Sequence, residues 1–474
     1  MFFNKKDNSN SDKVSIIILS QEAKERFNKS HYNDKLREEN LTEQDIELLF
    51  CDKKDWDPKD STQDYGAFIS SIAKITFNFS YIIFPNYSHF GDYDIKGSHF
   101  NNCIFYGKIP EITDDYSSNL TFNNCVFNNW YTQDKETIDH KSLSFDNCSF
   151  LSEYENRHTR IQALGRIVFK NITSCIPIII GSCGFFHIEE SEIRNLIFKG
   201  SSAKRRDILI QNNTFTGKTR PIFISNYTAD TVQIYKCEFE SLPDFWFSDA
   251  NIERVEIEGT KINSLNMYGT KINRFSIIEV NIEEKGRIDF DLVDNFYIDS
   301  SKVLDIFDSY TYNKNLKLDI VNSKVIGKLR FYKLKSLTIS SSQIDDLIID
   351  DSEEIIMKNN TFRNLCLVHS IDDVYIAESA VEEQCNFSFM KTKNTCILNS
   401  NTFKNSIDFK FASIHKLAIY QSSFKALDFD CSFINEARFV GVKGIDNDDV
   451  VDLTDQHFAS KESFEYFKGV LSQS

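Results

Sequence analysis

Cleavage of a polysaccharide needs two carboxyl groups facing each other, one to donate a proton and one to accept it, or a pair that holds a metal. Asp289 with Asp291, Asp408, and Asp428 with Asp430 stand at alternate positions of short apolar–polar runs and are the weak catalytic candidates of this chain. Asp428-x-Asp430, one repeat after Asp408-x-Lys410, is the best placed. The same outward column also holds Arg330, Tyr332, Ile348, Asp350, Cys366, Val368, Asn386, Ser388 and Lys410, the mixture expected of a solvated face.

Thiols are the second source of chemistry. Cys103, Cys125 and Cys148 recur at one point of a repeat, so stacking brings them within reach of a disulfide or a shared metal. Serine and asparagine fill that point elsewhere, which reads as buried structural thiols. The cysteines number 11, an odd count without a CxxC pair, and point to reduced thiols in a cytoplasm. Histidines form neither HxxxH nor HExxH and read as surface or turn residues. The densest basic cluster, Lys204-Arg205-Arg206, reads as a solvated turn. With no phosphate-cradling GxxxxGK[ST] and no dinucleotide GxGxxG, no cofactor and no metal are implied.

What must position these groups is a repeated phrase, clearest where LTISSSQI (337–344) is followed by IIMKNNTF (355–362). Its form is apolar-x-apolar-x-x-small polar-x-apolar. Leu337, Ile339, Ser342 and Ile344 point inward in one copy, and Ile355, Met357, Asn360 and Phe362 do so in the next. The closing apolar position falls at Phe105, Phe127, Phe150, Ser174, Ile193, Phe215, Phe239, Ile262, Ile282, Val303, Val325, Ile344, Phe362, Val381, Phe403, Phe424 and Gly444, at intervals of 18 to 24 residues. That period predicts a solenoid of about 17 coils, each burying its apolar face on its neighbours. The sixth position forms a structural ladder of Cys103, Cys125, Cys148, Ser191, Asn213, Cys237, Thr260, Ser301, Ser323, Ser342, Asn360, Ser379, Asn401 and Ser422, broken by Ile172, Val280 and Val442.

Leu334-x-x-Leu337-x-Ile339-x-x-Ser342-x-Ile344 also fits a leucine-rich repeat, whose return is usually helical or irregular. Here Ile288 to Leu292, Leu329 to Tyr332, Ile407 to Phe411 and Leu427 to Asp430 alternate with period two, so the return reads as strand. The fold class expected is all-β, a parallel β-helix over 76–445. Residues 1–75 form a small α/β cap or separate module, with a strand at Val14 to Leu19, a helix from Gln21 to Arg37 and a second helix started by Thr42. Residues 446–474 give an acidic linker and a capping helix with Phe464, Phe467 and Leu471 on one face.

A net charge of −16 repels phosphate backbones and anionic lipid heads, so neither nucleic acid nor a bare membrane is an expected direct partner. No apolar run is long enough to span a membrane. The array resembles the right-handed parallel β-helix superfamily. Locally, Phe100-x-x-Cys103-x-Phe105, Phe122-x-x-Cys125-x-Phe127 and Phe145-x-x-Cys148-x-Phe150 resemble degenerate pentapeptide repeats, although the pentads are not sustained four to a turn. Nothing convergent remains after the repeat is accounted for. The leading expectation is therefore a non-enzymatic, cytoplasmic scaffold that binds another protein, with oligomers formed through the cap or the solenoid ends. The alternatives are a carbohydrate-active β-helix, such as a phage or surface depolymerase, and an acidic DNA mimic that inhibits a DNA-binding enzyme.

Overall fold

The computed structural model describes residues 20–30, 42–53, 78–85, 99–106, 119–128, 142–152, 158–161, 165–181, 183–199, 206–218, 220–240, 244–283, 292–304 and 315–444. The chain divides into two compact units, one of residues 1–228 with 237–241 and one of 229–236 with 242–474. Both are parallel β-solenoids. The strand expected at Val14 to Leu19 and the carboxyl-terminal helix lie outside the described residues.

In the first unit, strands Asn78–Ser80, His99–Asn101, Asn119–Asn123, Ser142–Asp146, Arg166–Lys170, Phe185–Glu189 and Asp207–Gln211 pair in parallel, one per winding. The closing positions of the phrase form a second sheet in strict register, with Phe105 beside Phe127, then Phe150, Ser174, Ile193, Phe215 and Phe239. A third sheet of Thr159–Ile161, Ile178–Ile180, Leu196–Lys199 and Ile222–Ser225 closes the winding. The return is thus made of strands. Because each winding repeats the same residue types, like rings fall on like. Phe79, Phe100, Phe122 and Phe145 stack with centroids 4.9–5.1 Å apart, and Phe84, Phe105, Phe127 and Phe150 stack at 4.6–5.0 Å. The two columns meet edge to face, so each ring satisfies the quadrupole preference in two directions while burying on the order of 150–250 Å².

The second unit continues the pattern from Asn251–Glu258 to Phe433–Val440 on one side and from Lys261–Ile262 to Lys443–Gly444 on the other. Between Lys324 and Asn386 the closing apolar residue and the return merge into single strands, Lys324–Phe331, Gln343–Ile349, Thr361–Leu367 and Ala380–Asn386. The winding is then two-sided. Register slips between Val325 and Lys328, where Gly327 takes a φ of 98° that costs a glycine little.

Each corner is made by one residue in the left-handed region followed by a buried ladder residue. Asn102, Asn124, Asn147 and Asn171 in the first unit, and Asn322, Ser341, Asn359 and Ser400 in the second, have φ between 47° and 56°. Asparagine tolerates that region better than most side chains, which explains the Asn-rich turns. The turn leaves the next backbone N–H pointing into the column with no strand to receive it. The ladder supplies the acceptor from the following winding: Val280 N–H donates to Ser301 Oγ at 3.1 Å, Ser301 to Ser323 Oγ at 3.1 Å, Ser323 to Ser342 Oγ at 3.1 Å and Ser342 to Asn360 Oδ1 at 2.9 Å. Asn360 then donates to Ser379 Oγ at 3.2 Å, Ser379 to Asn401 Oδ1 at 2.9 Å and Asn401 to Ser422 Oγ at 3.1 Å. Each serine hydroxyl donates to the carbonyl two residues before it, as Ser323 does to Val321 at 2.6 Å. The asparagine Nδ2 groups reach back to the previous winding, Asn360 to Ile339 at 2.9 Å and Asn401 to Ile376 at 2.8 Å.

The helices are Gln21–Lys29, capped by Ser20, and Glu43–Phe50, whose Thr42 and Asp45 form a reciprocal capping box. The first is shorter than the helix expected to Arg37. Ser30 is extended and its hydroxyl donates to Phe27 O, which ends the helix there. Lys53 is fully buried, its ammonium donating to Leu49 O and Cys51 O, and burial lowers its pKa to about 8.

Two outcomes follow from this packing. Asn360→Ala strips an acceptor from Ser342 N–H and a donor from Ile339 O, at about 2–4 kcal/mol for the two buried groups; amide exchange should accelerate in Leu334–Ser340 and Ser352–Lys358, and Asn360→Ser should recover part of the loss. Lys53 is deprotonated more readily folded than unfolded, so its burial penalty is full below about pH 8 and fades as pH rises toward 10.5. Helical circular dichroism should therefore melt later at pH 10 than at pH 8 beyond any trend that Lys53→Met retains.

Candidate functional site

Asp408 and Asp428 are brought together as the sequence suggests, in register on the adjacent strands Ile407–Asp408 and Leu427–Asp428. Three of their four carboxylate oxygens are already engaged. Asp408 Oδ1 accepts the Lys410 N–H at 2.8 Å and Asp428 Oδ1 accepts the Asp430 N–H at 3.1 Å, each bending the chain two residues on. Lys410 Nζ lies 3.0 Å from Asp428 Oδ2, and that carboxylate raises the lysine pKa. Asp430 Oδ1 receives the Cys431 thiol at 3.5 Å. As arranged, these acids are turn formers with a lysine across them. Asp289 and Asp291 lie outside the described residues.

Three residues of the outward column, Arg330, Tyr332 and Asp350, gather around His369, which lies outside that column. Asp350 is buried and shares a 2.6 Å hydrogen bond with His369 Nδ1, and Arg330 Nη2 approaches its other oxygen at 3.7 Å. Arg330 stacks over Tyr332 at 4.6 Å. His369 sits in a left-handed corner with φ 62°, which sequence spacing could not reveal because the histidine belongs to no motif. The His369 ring is largely exposed, while its Asp350 partner is buried. The nearby Cys366 thiol is held protonated by burial and then by Asp350, so the set lacks an activated nucleophile.

The ladder thiols Cys103, Cys125 and Cys148 are buried and donate to backbone carbonyls, Cys125 to Phe100 O and Cys148 to Phe122 O, both at 3.4 Å. Burial pushes the Cys125 and Cys148 thiols far up, and Cys237 up to about 12. All three therefore act as weak hydroxyl substitutes. Among the described residues, no group of three or more His, Cys, Asp and Glu side chains could hold a metal ion.

The feature that the sequence pattern concealed lies beside the acids. Alternation with period two predicts strand over Ile407 to Phe411. The strand ends at Asp408, and Phe409 to Ala412 is a turn closed by Ala412 N–H donating to Phe409 O at 3.0 Å. Phe387 to Met390 and Phe429 to Ser432 repeat it one winding away on either side. The first ring of each turn is buried, whereas the third residue is left-handed: Phe389 with φ 58°, Phe411 with φ 56° and Cys431 with φ 55°. Glycine or asparagine suits that place. Phenylalanine does not, and here Phe389 and Phe411 are 53% and 49% exposed and stacked at 5.1 Å with an interplanar angle of 11°. Phe433, 51% exposed, immediately follows the third turn, two residues after Cys431.

Comparison of the chain with protein-family models, with curated proteins and with solved structures finds no match. Among the described residues no helix is long and apolar enough to cross a membrane.

If the two exposed rings serve the fold, removing them must hurt it. Phe389→Gly with Phe411→Gly gains roughly 1 kcal/mol per corner from the relieved left-handed backbone and loses about 0.5–1.5 kcal/mol of stacking. Urea unfolding should accordingly shift by about 0.5–1.5 kcal/mol toward greater stability, whereas Phe409→Ala, which empties a buried site, should cost about 3–5 kcal/mol.

Proposed function

We propose that this solenoid is a non-enzymatic, protein-binding scaffold, and that the corner carrying Phe389 and Phe411 is where its partner docks. The observation that carries the reading is the placement of two stacked, half-exposed rings at backbone positions that glycine or asparagine would fill more cheaply. A residue that is poor for the turn and poor for solvent, kept in two successive windings, is better explained by contact with something outside the chain. Exposed aromatic anchors of this kind commonly dominate binding energy.

The surroundings indicate what kind of protein fits. Asp408, Asp428 and Asp430 flank the rings, Lys410 is paired with Asp428, and the chain as a whole carries −16. A partner that sets apolar side chains against the rings and lysine or arginine against the acids is complementary on both counts. The resemblance to the parallel β-helix superfamily fits this use without adding a residue-level role, and a cytoplasmic setting agrees with the odd count of 11 cysteines. The carbohydrate-active reading draws on the same corner, since Asp408 and Asp428 are one winding apart beside aromatic rings.

The two readings separate cleanly. A photo-crosslinking residue at position 411 should capture a specific protein, and with that protein purified, Phe389→Ser with Phe411→Ser should weaken binding at least tenfold, or about 1.4 kcal/mol, with unchanged unfolding. Failure of the double substitution to weaken the reconstituted complex, together with cleavage of a glycan that Asp408→Ala and Asp428→Ala abolish, overturns the proposal in favour of the enzyme.

A further inference from the structure

The basic cluster read as solvated contains a buried cation. Lys204 and Arg205 lie outside the described residues, but Arg206 is 3% exposed, just ahead of the strand Asp207–Gln211 in the first unit. Its guanidinium carbon sits 4.7 Å from the centre of the Tyr227 ring, which is fully buried. The Tyr227 hydroxyl lies 3.6 Å from the Sγ of Cys183, also buried, on the neighbouring winding, where Phe185 pairs with Asp207. Among the described residues Arg206 Nη1 is buried with no hydrogen-bond partner.

This cluster holds more donors than acceptors. Guanidinium has no acceptor atom, and the phenol and thiol share one hydrogen bond, which leaves one of their hydrogens to give. Neither group balances the charge, since burial outweighs the pull of Arg206 and raises both Tyr227 and Cys183 well above their ordinary ranges. The ring face attracts the cation but does not satisfy Nη1. Among the described residues no carboxylate pairs with this buried guanidinium, and an uncompensated charge in an apolar interior is costly, which favours a small anionic acceptor at Nη1.

We infer that Arg206, Tyr227 and Cys183 bind a small monovalent anion of the halide type within the first unit, with Nη1 as the charged donor and the phenol–thiol pair supplying a neutral one.

The test uses the full chain in sodium chloride and in sodium gluconate at one fixed ionic strength. Amide exchange across Phe185–Glu189 and Asp207–Gln211 should slow with chloride in a saturable way, by about tenfold at concentrations well above the dissociation constant. Arg206→Met should lose that dependence, and Tyr227→Phe, which keeps the ring, should weaken the apparent affinity. Crystals grown in bromide should show an anomalous peak within hydrogen-bond reach of Nη1, a readout that stands even if Arg206→Met does not fold. Identical exchange of the unsubstituted chain in the two salts, chloride protection that survives in Arg206→Met, or a bromide crystal without that peak overturns the assignment.

Discussion

One backbone N–H per winding decides how this protein is built. A parallel strand that must turn inward within two residues places its second residue behind the corner, where neither water nor a neighbouring strand receives its N–H. A buried amide left without an acceptor costs as much as a lost hydrogen bond and sometimes more. Serine and asparagine meet the need differently. Serine accepts from the previous winding and returns its own proton to the carbonyl two residues back, as Ser342 does to Ser340 at 2.8 Å. Asparagine accepts with Oδ1 and ties down a carbonyl of the previous winding with Nδ2, so it braces two windings at once.

The two units use the same corner with different fillings. Early windings of the first unit set cysteine in the ladder and phenylalanine on both inner faces, so weak sulfur hydrogen bonds accompany large ring burial and stacking. In the second unit the ladder is mostly serine and asparagine, and the inner faces are largely isoleucine, leucine and valine. Stronger polar contacts there accompany smaller apolar side chains. Where the ladder residue is aliphatic, at Ile172 and Val280, its own N–H is still received by Ser191 and Ser301 of the next winding.

Much of this was legible in the residues. A phrase with fixed internal spacing reports on local geometry, and each closing position from Phe105 to Gly444 lies in a strand. The strand-like return was readable from alternation at Leu329 to Tyr332. Alternation misled at Ile407 to Phe411, because Asp408 capturing the Lys410 N–H is a local turn that hydrophobic spacing does not register. The same limit hid the pairing of Asp350 with His369, two residues in different corners, and the burial of Arg206 within a run of basic residues that composition alone marks as surface. Periodicity reports which face a residue takes only while the chain keeps its regular twist.

The forward-passed hydrogen bond has a consequence for how such a chain can lengthen or shorten. Removing one whole winding leaves every remaining donor opposite an acceptor of the same kind. Losing a few residues from a strand rotates all later positions out of phase and strands a row of amides together. Evolution of the array should therefore proceed in discrete steps of a full turn, with insertions of arbitrary size confined to the outward loops.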